Sequence, residues 1–110
     1  MTQDRLTQMV ISIMLLAGFD VSERCNIRPR SFDLIAKKGD TLVIIKVASH
    51  IDGVSADIAR DLNLIARYLE ATPLIVGERA RDTDLERGVV YIRYGLFALN
   101  PETLYDYFAE

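Results

Sequence analysis

The chain has 110 residues, 50% of them hydrophobic and 26% charged, and its formal net charge is -3. This length and composition are typical of one globular domain and exclude an intrinsically disordered chain. The net negative charge argues against a dedicated nucleic-acid-binding domain, because such domains are usually basic. A single cysteine excludes an internal disulfide framework.

The spacing of apolar residues predicts a first helix over residues 2–17. Its second half is apolar on almost every side, so we expect one side to cover a sheet and residues 9–16 to meet a second subunit. The apolar run at 9–19 is about half of the roughly 20 residues that a transmembrane helix needs. The lone Cys25 fits a reducing compartment. We therefore expect a soluble, cytoplasmic homodimer that is not inserted in a membrane.

Three strands are predicted next in the chain. The first covers residues 21–27, and the second covers 31–37. A tight turn at 38–40 leads into the third strand, at 41–48. This third strand is apolar on both faces, which is typical of a central strand that is buried on both sides.

Ser55 is the predicted N-cap of a second helix that runs to about residue 70 and carries one apolar stripe. A short buried strand is predicted over residues 73–76. Residues 78–87 are charged and carry no apolar period, so we expect an exposed loop there.

A further strand is predicted over residues 89–94, and residues 96–99 are a candidate for a short additional one that the order below does not count. Asn100 then supplies an N-cap, followed by a proline and an acid, which is the pattern that opens a last helix. The predicted order is therefore α-β-β-β-α-β-β-α over a single domain of residues 1–110. This order indicates an α/β fold in which helices flank a mixed central sheet.

The most informative segment is residues 31–46, which read SFDLIAKKGDTLVIIK. Asp33 stands near the start of one predicted strand, and Lys46 stands on the next strand after a tight turn. Residues two apart on a strand share a face, so Ile44 and Lys46 project to the same side. Pairing of the two strands would bring that side close to Asp33.

This arrangement resembles the PD-(D/E)xK nuclease superfamily, whose members share the restriction-endonuclease-like fold. Residues 31–33 stand where the family has its PD element, and residues 44–46 stand at its (D/E)xK element. The resemblance implies that Asp33 would be a metal ligand and that Lys46 would help to place the attacking water. It also implies a restriction-endonuclease-like topology for the whole chain.

The sequence departs from this motif at Ile44, which occupies the position of the second carboxylate. Magnesium needs oxygen ligands, and an isoleucine supplies none. Cys25 and His50 also lack the neighbours that a zinc site needs. We therefore expect no catalysis, no metal and no cofactor. The alternative is a metal-dependent DNA nuclease or resolvase that uses Asp33, Lys46 and a displaced carboxylate, for which the candidates are Glu23, Asp57 and Asp61.

A broader resemblance extends over residues 17–106 in four blocks, which read CNIRPRSFDLIAKKGD, LVIIKVASHID, ATPLIVGERAR and GVVYIRYGLFALNPETLYD. These blocks resemble the amino-terminal domain of archaeal helix-turn-helix transcriptional regulators. In that family the restriction-endonuclease-like domain precedes the helix-turn-helix, which has no counterpart in these 110 residues. The resemblance implies a non-catalytic module for dimerisation, sensing or auxiliary DNA contact, with most DNA contacts made by the separate helix-turn-helix.

The Asp33–Lys46 pair and a cluster of basic residues each allow a structural interpretation as well as a functional one. Asp33 and Lys46 can be a structural ion pair or a ligand-contacting or DNA-contacting pair. Residues 24–38 hold five basic residues and one acid, a local charge of +4. This cluster can be a phosphate-contacting surface or a solvated edge of the sheet. If the domain contacts neither a ligand nor DNA, the alternative function is a purely structural oligomerisation domain. The predicted nucleic-acid contacts are Arg28, Arg30, Lys37 and Lys38.

Overall fold

The computed structural model describes residues 3–23 and 31–109, and these residues form three α-helices and eight strands. The helices are α1 (Gln3–Leu16), α2 (Ala56–Leu69) and α3 (Pro101–Phe108). The strands are β1 (Asp20–Glu23), β2 (Leu34–Lys38), β3 (Thr41–Val47), β4 (Thr72–Val76), β5 (Arg79–Ala80), β6 (Thr83–Asp84), β7 (Tyr91–Arg93) and β8 (Leu96–Leu99).

Six strands form one mixed sheet in the order β1-β2-β3-β4-β8-β7. The strands β1, β2 and β3 form an antiparallel meander, whereas β3, β4 and β8 run parallel to one another. Parallel neighbours need a crossover connection, and α2 supplies it between β3 and β4. Strand β7 closes the sheet antiparallel to β8. The predicted α/β fold with a mixed sheet flanked by helices is confirmed.

Two apolar cores lie on opposite faces of this sheet. Helices α1 and α3 cover one core, and α2 covers the other. Along β3, Val43, Ile45 and Val47 point to the first core, whereas Ile44 points to the second. This alternation confirms that β3 is a central strand buried on both sides.

Residues 78–87 are mostly exposed, as expected, but they do not form an irregular loop. Strands β5 and β6 pair as a two-stranded hairpin in this segment. Ala80 and Leu85 are buried and join the core under α2. Two apolar residues separated by a turn follow neither helical nor strand spacing, so the pattern does not reveal their burial.

Other boundaries differ less from the predictions. The first predicted strand is observed as β1, and its residues 24–27 lie outside the described residues, as does Cys25. Strand β2 begins at Leu34, three residues later than predicted. None of the helices in the described part of the chain is long and apolar enough to cross a membrane.

The cap of α3 is a buried hydrogen-bonding unit, and it leads to a stability prediction. The Asn100 Oδ1 atom accepts from the Thr103 amide at 2.8 Å and from its hydroxyl at 2.6 Å, while Nδ2 donates to the Leu85 carbonyl at 3.0 Å. We expect Asn100→Ala to cost about 2 kcal/mol of unfolding free energy, measured by urea denaturation. The exposed cap Ser55 accepts only from the Ile58 amide at 3.2 Å. Ser55→Ala should therefore cost less, and equal losses would contradict this ranking.

An ion pair between Arg93 and Asp52 ties β7 to the 3-10 turn at Ile51–Gly53. The side-chain hydrogen bond from Arg93 is the main cause that lowers the pKa of Asp52 from 3.8. Since the folded-state pKa is depressed, this pair stabilises the fold fully above the unfolded-state pKa, and the contribution is lost as the pH falls through the lower folded-state pKa.

As the pH is lowered from about 5 to about 3, we therefore expect the unfolding free energy of Asp52→Asn to fall less than that of the unaltered chain. Arg93→Gln should flatten the same acid limb, because it removes the cation that lowers the pKa. The check is a series of urea unfolding curves across this pH range. Unchanged slopes in both variants would show that the pair does not set the acid sensitivity.

Candidate functional site

Asp33 and Lys46 meet on the α2 side of the sheet, where the chain enters β2 beside β3. The register Leu34 opposite Ile45 and Ile35 opposite Ile44 places Asp33 opposite Lys46. The Lys46 Nζ atom lies 3.5 Å from the Asp33 Oδ2 atom. The structure therefore brings together the two residues that the sequence singled out.

The Asp33 carboxylate also takes the place of a backbone acceptor at the end of the β2–β3 ladder. Its Oδ2 atom accepts from the Val47 amide at 2.8 Å, and the Asp33 amide donates to the Ile45 carbonyl at 2.8 Å. The side chains of Asp33 and Lys46 are only 10% and 15% exposed. A nearly buried carboxylate needs such charge-assisted bonds. The bonds of the Asp33 carboxylate to β3 fix the position of the chain where it enters β2.

Ile44 stands at the motif position of the second carboxylate, and its surroundings are apolar. It is 0% exposed and belongs to the core under α2, together with Leu62, Ala66 and Ile75. Its side chain fills space between the sheet and the helix. An oxygen ligand is thus replaced by a packed hydrocarbon group.

Glu23 lies on the wrong face of the sheet to replace that carboxylate. It pairs with Leu34 across β1 and β2, and directly opposite residues share a face. Leu34 belongs to the core under α1 and α3, whereas the Asp33–Lys46 pair lies on the α2 side. The strand alternation therefore separates Glu23 from the pair.

The two α2 acids differ in their relation to the site. Asp57 is exposed in the first turn of α2 and pairs with Arg60 at 3.1 Å. Asp61 accepts a hydrogen bond from the Ser31 hydroxyl at 3.3 Å, so it contacts the segment that leads to Asp33. Among residues 3–23 and 31–109, no group of three His, Cys, Asp or Glu side chains could hold a metal ion. The described residues do not fit the metal site of the motif.

The four predicted nucleic-acid contacts have different environments. Arg28 and Arg30 lie outside the described residues. Lys37 is exposed on β2, where it pairs with Asp20 of β1. The Lys38 ammonium donates to the Ala17 carbonyl at 2.8 Å and lies 5.8 Å from the centre of the Phe19 ring. Lys38 thus joins β2 to the segment between α1 and β1.

A cavity of about 460 Å³ opens at the carboxyl ends of the parallel strands β3, β4 and β8. Ligands of open α/β sheets bind at such strand ends, and this volume is in the usual range for small molecules. Sequence reasoning missed this cavity because its walls come from separate segments. The sequence did offer one indication of the cavity, which is the presence of polar residues just after three predicted strands, at Ser49, Glu78 and Asn100. The lining residues are Met9, Ser49, Glu78, Arg79, Asp84, Leu85, Asn100, Pro101 and Glu102.

Helix α1 has one buried and one exposed apolar side. Leu6, Val10 and Met14 are fully buried against the sheet, as expected. Leu15 and Leu16 are more than half exposed near the end of the helix. The exposed side is the surface predicted to meet a second subunit.

Comparisons with known proteins identify the family. Residues 3–110 match the PD-(D/E)XK superfamily domain. Relatives from Methanoculleus marisnigri, Methanosphaerula palustris and Methanosarcina barkeri are 93%, 69% and 48% identical over all 110 residues. Each is named as a candidate HTH-type transcriptional regulatory protein, and the chain spans 36%, 36% and 34% of their lengths. Because this match spans nearly the whole chain, the chain belongs to the PD-(D/E)XK superfamily.

Proposed function

We propose that this domain is a non-catalytic, amino-terminal module of a DNA-binding transcriptional regulator. In that regulator it would serve dimerisation, signal sensing or auxiliary DNA contact, while a separate helix-turn-helix domain reads the operator. The names of the archaeal relatives support the regulator assignment. The chain spans about a third of their length, which leaves room for a separate DNA-reading domain.

The burial of Ile44 is the observation that carries the non-catalytic assignment. The motif places a second carboxylate beside Asp33 as a metal ligand, and Ile44 fills that position with a fully buried side chain that offers no oxygen. The Asp33 carboxylate is engaged by the Val47 amide and by Lys46. These contacts suit a structural ion pair that holds β2 on β3.

Separate features of the domain support each of the three module roles. The cavity at the strand ends has the size of an effector site. The exposed apolar side of α1 suits contact with a second subunit. Lys37 supplies an exposed cation for a phosphate, and Arg28, Arg30 and Lys38 complete the proposed contact set.

The second candidate function is a metal-dependent DNA nuclease or resolvase. One observation favours it, which is the bond from Ser31 to Asp61 that draws an acid of α2 to the segment beside Asp33. This alternative requires cleavage of DNA that depends on magnesium or manganese. A purely structural oligomerisation domain is the third candidate, and it requires that the domain has no affinity for DNA.

The salt dependence of DNA binding by this chain separates a regulator module from a purely structural domain. We expect weak, sequence-independent binding of a short duplex, measured by fluorescence anisotropy at several salt concentrations. Lys37→Gln should lower the slope of log affinity against log salt by about 1. Arg67→Gln on α2 is the matched control and should leave the slope unchanged. Absence of binding at low salt would rule out the DNA-contact role, and tight binding to one sequence would contradict a separate operator-reading domain.

A further inference from the structure

The two edges of the six-stranded sheet differ in their chemistry. Strand β1 forms one edge and carries Asp20, Ser22 and Glu23, which are polar or charged. Such residues prevent a sheet edge from pairing with another chain. The other edge is β7, which in the described part of the chain pairs only with β8. Residues 89–94 read VVYIRY, in which Arg93 is the one charged residue. The β1 edge is therefore more polar than the β7 edge.

An exposed apolar patch lies at the β7 edge. Ile92 of β7 stands directly opposite Phe97 of β8, and these side chains are 59% and 52% exposed. Val90 stands just before β7 and is 51% exposed. Phe97 pairs with Leu74, a residue of the core under α1 and α3. The patch thus continues that face of the sheet to its edge.

The accessible area of this patch is about half of what one partner buries in a stable interface. With Tyr94, which is 60% exposed, the four side chains present about 400 Å² of accessible surface. The largest apolar patch on a monomer of ordinary size is about 300–600 Å² and is often functional. A stable interface buries about 800 Å² on each partner. The patch supplies about half of that area before the backbone and the flanking residues are counted.

The backbone of β7 is arranged to accept another strand. Tyr94 and Gly95 both have positive φ angles, +52° and +78°, as in the two-residue turn of a tight hairpin. In such a hairpin the pair beside the turn, Arg93 and Leu96, exchanges hydrogen bonds. The amide and carbonyl of Ile92 therefore point away from β8, towards the open edge. The Ile92 carbonyl accepts from the Arg93 side chain at 2.9 Å and retains a second lone pair.

We propose that β7 is a self-association edge, to which a second copy of this chain adds its own β7 in antiparallel orientation. A two-fold axis at Ile92 would place this residue opposite its counterpart, so that the two six-stranded sheets become continuous. Ile92 and Phe97 of both copies then form one apolar cluster across the junction. Because each copy presents the same patch, the contact closes at a dimer.

The charges at this junction are compatible with a second copy. The same register places Tyr91 opposite Arg93 of the other copy, so the two Arg93 side chains are diagonal neighbours and not directly opposite each other. The Arg93 guanidinium is already paired with Asp52 of its own chain. An aromatic ring beside a paired guanidinium is a favourable neighbour. The inference rests on the dimerisation role in the proposed function and assigns that role to β7 instead of α1.

Sedimentation equilibrium of the chain over micromolar to millimolar concentrations tests this assignment. We expect a dimer whose dissociation constant rises on the order of 100-fold in Ile92→Lys, because the new charge lies in the centre of the patch. Ser22→Lys on β1 is the matched control and should leave the dimer intact. Leu16→Lys tests the exposed apolar side of α1 as the rival contact, and under the β7 assignment it should also leave the dimer intact. Circular dichroism establishes that each variant is folded.

Hydrogen exchange of the Ile92 amide in the unaltered chain gives a second readout that needs no variant. This amide should be protected in concentrated samples and should lose protection on dilution. A monomer at every concentration would overturn both the β7 edge and the dimerisation role, while the DNA-binding measurement would still test the rest of the proposed function. A dimer that survives Ile92→Lys would overturn the β7 assignment alone, and its loss in Leu16→Lys would assign the contact to α1.

Discussion

Asp33→Ala is expected to reduce the unfolding free energy of the domain by about 2–4 kcal/mol. The substitution removes the acceptor of the Val47 amide and the carboxylate partner of Lys46. Both side chains are at least 85% buried, so water replaces these interactions poorly. Urea denaturation near neutral pH measures the loss.

Three further variants separate the parts of this effect. Asp33→Asn keeps an oxygen for the Val47 amide and should cost less than Asp33→Ala. The double variant Asp33→Asn with Lys46→Met should cost less than the sum of its single changes, because the two residues interact directly. Asp57→Ala removes an exposed pair within α2 and should change the stability by less than about 0.5 kcal/mol. A loss below about 1 kcal/mol in Asp33→Ala would contradict a structural ion pair.

Ile44→Glu is expected to cost more than about 4 kcal/mol and to leave much of the domain unfolded. The substitution restores the carboxylate of the motif in the sequence but places it in a core where Ile44 is 0% exposed. A charge in that core loses its hydration, and Lys46 is already engaged by Asp33. Circular dichroism and thermal unfolding measure the effect.

Ile44→Val is the matched control, since it removes one methylene group and should cost about 0.5–1.5 kcal/mol. Thermal unfolding of Ile44→Glu with and without magnesium gives a direct test of the packing argument. We expect no rescue by the metal. A folded Ile44→Glu protein that magnesium stabilises would show that the site lacks only a carboxylate and that packing under α2 does not oppose it.

Local patterns were sufficient to predict most elements of the fold. The apolar run of β3 predicted a strand buried on both sides, and the turn before it placed Asp33 opposite Lys46. Ser55 and Asn100 were recognised as helix caps, and both accept the expected amide hydrogen bond. These features depend on neighbours within a few residues, which is the range over which spacing is informative.

Features that depend on distant segments could not be predicted from spacing. The cavity gathers residues from α1, from three strand ends and from the β5–β6 hairpin. Lys38 stood within a basic cluster in the sequence, but its ammonium bonds the Ala17 carbonyl, 21 positions earlier. The position of β7 at one edge depends on the strand order of the sheet. Sheet order and side-chain reach decide these features, and neither leaves a periodic signal.

Cleavage of DNA in the presence of magnesium or manganese tests the central claim, that Asp33 and Lys46 hold the fold together without catalysing a reaction. The measurement follows supercoiled plasmid incubated with the chain and each metal, beside the Asp33→Asn variant and the control Asp4→Asn, which changes an exposed acid of α1. The structural role of the pair predicts no cleavage by the chain or by either variant above the rate with metal alone. Metal-dependent cleavage that is lost in Asp33→Asn and retained in Asp4→Asn would contradict it and would identify the domain as a nuclease.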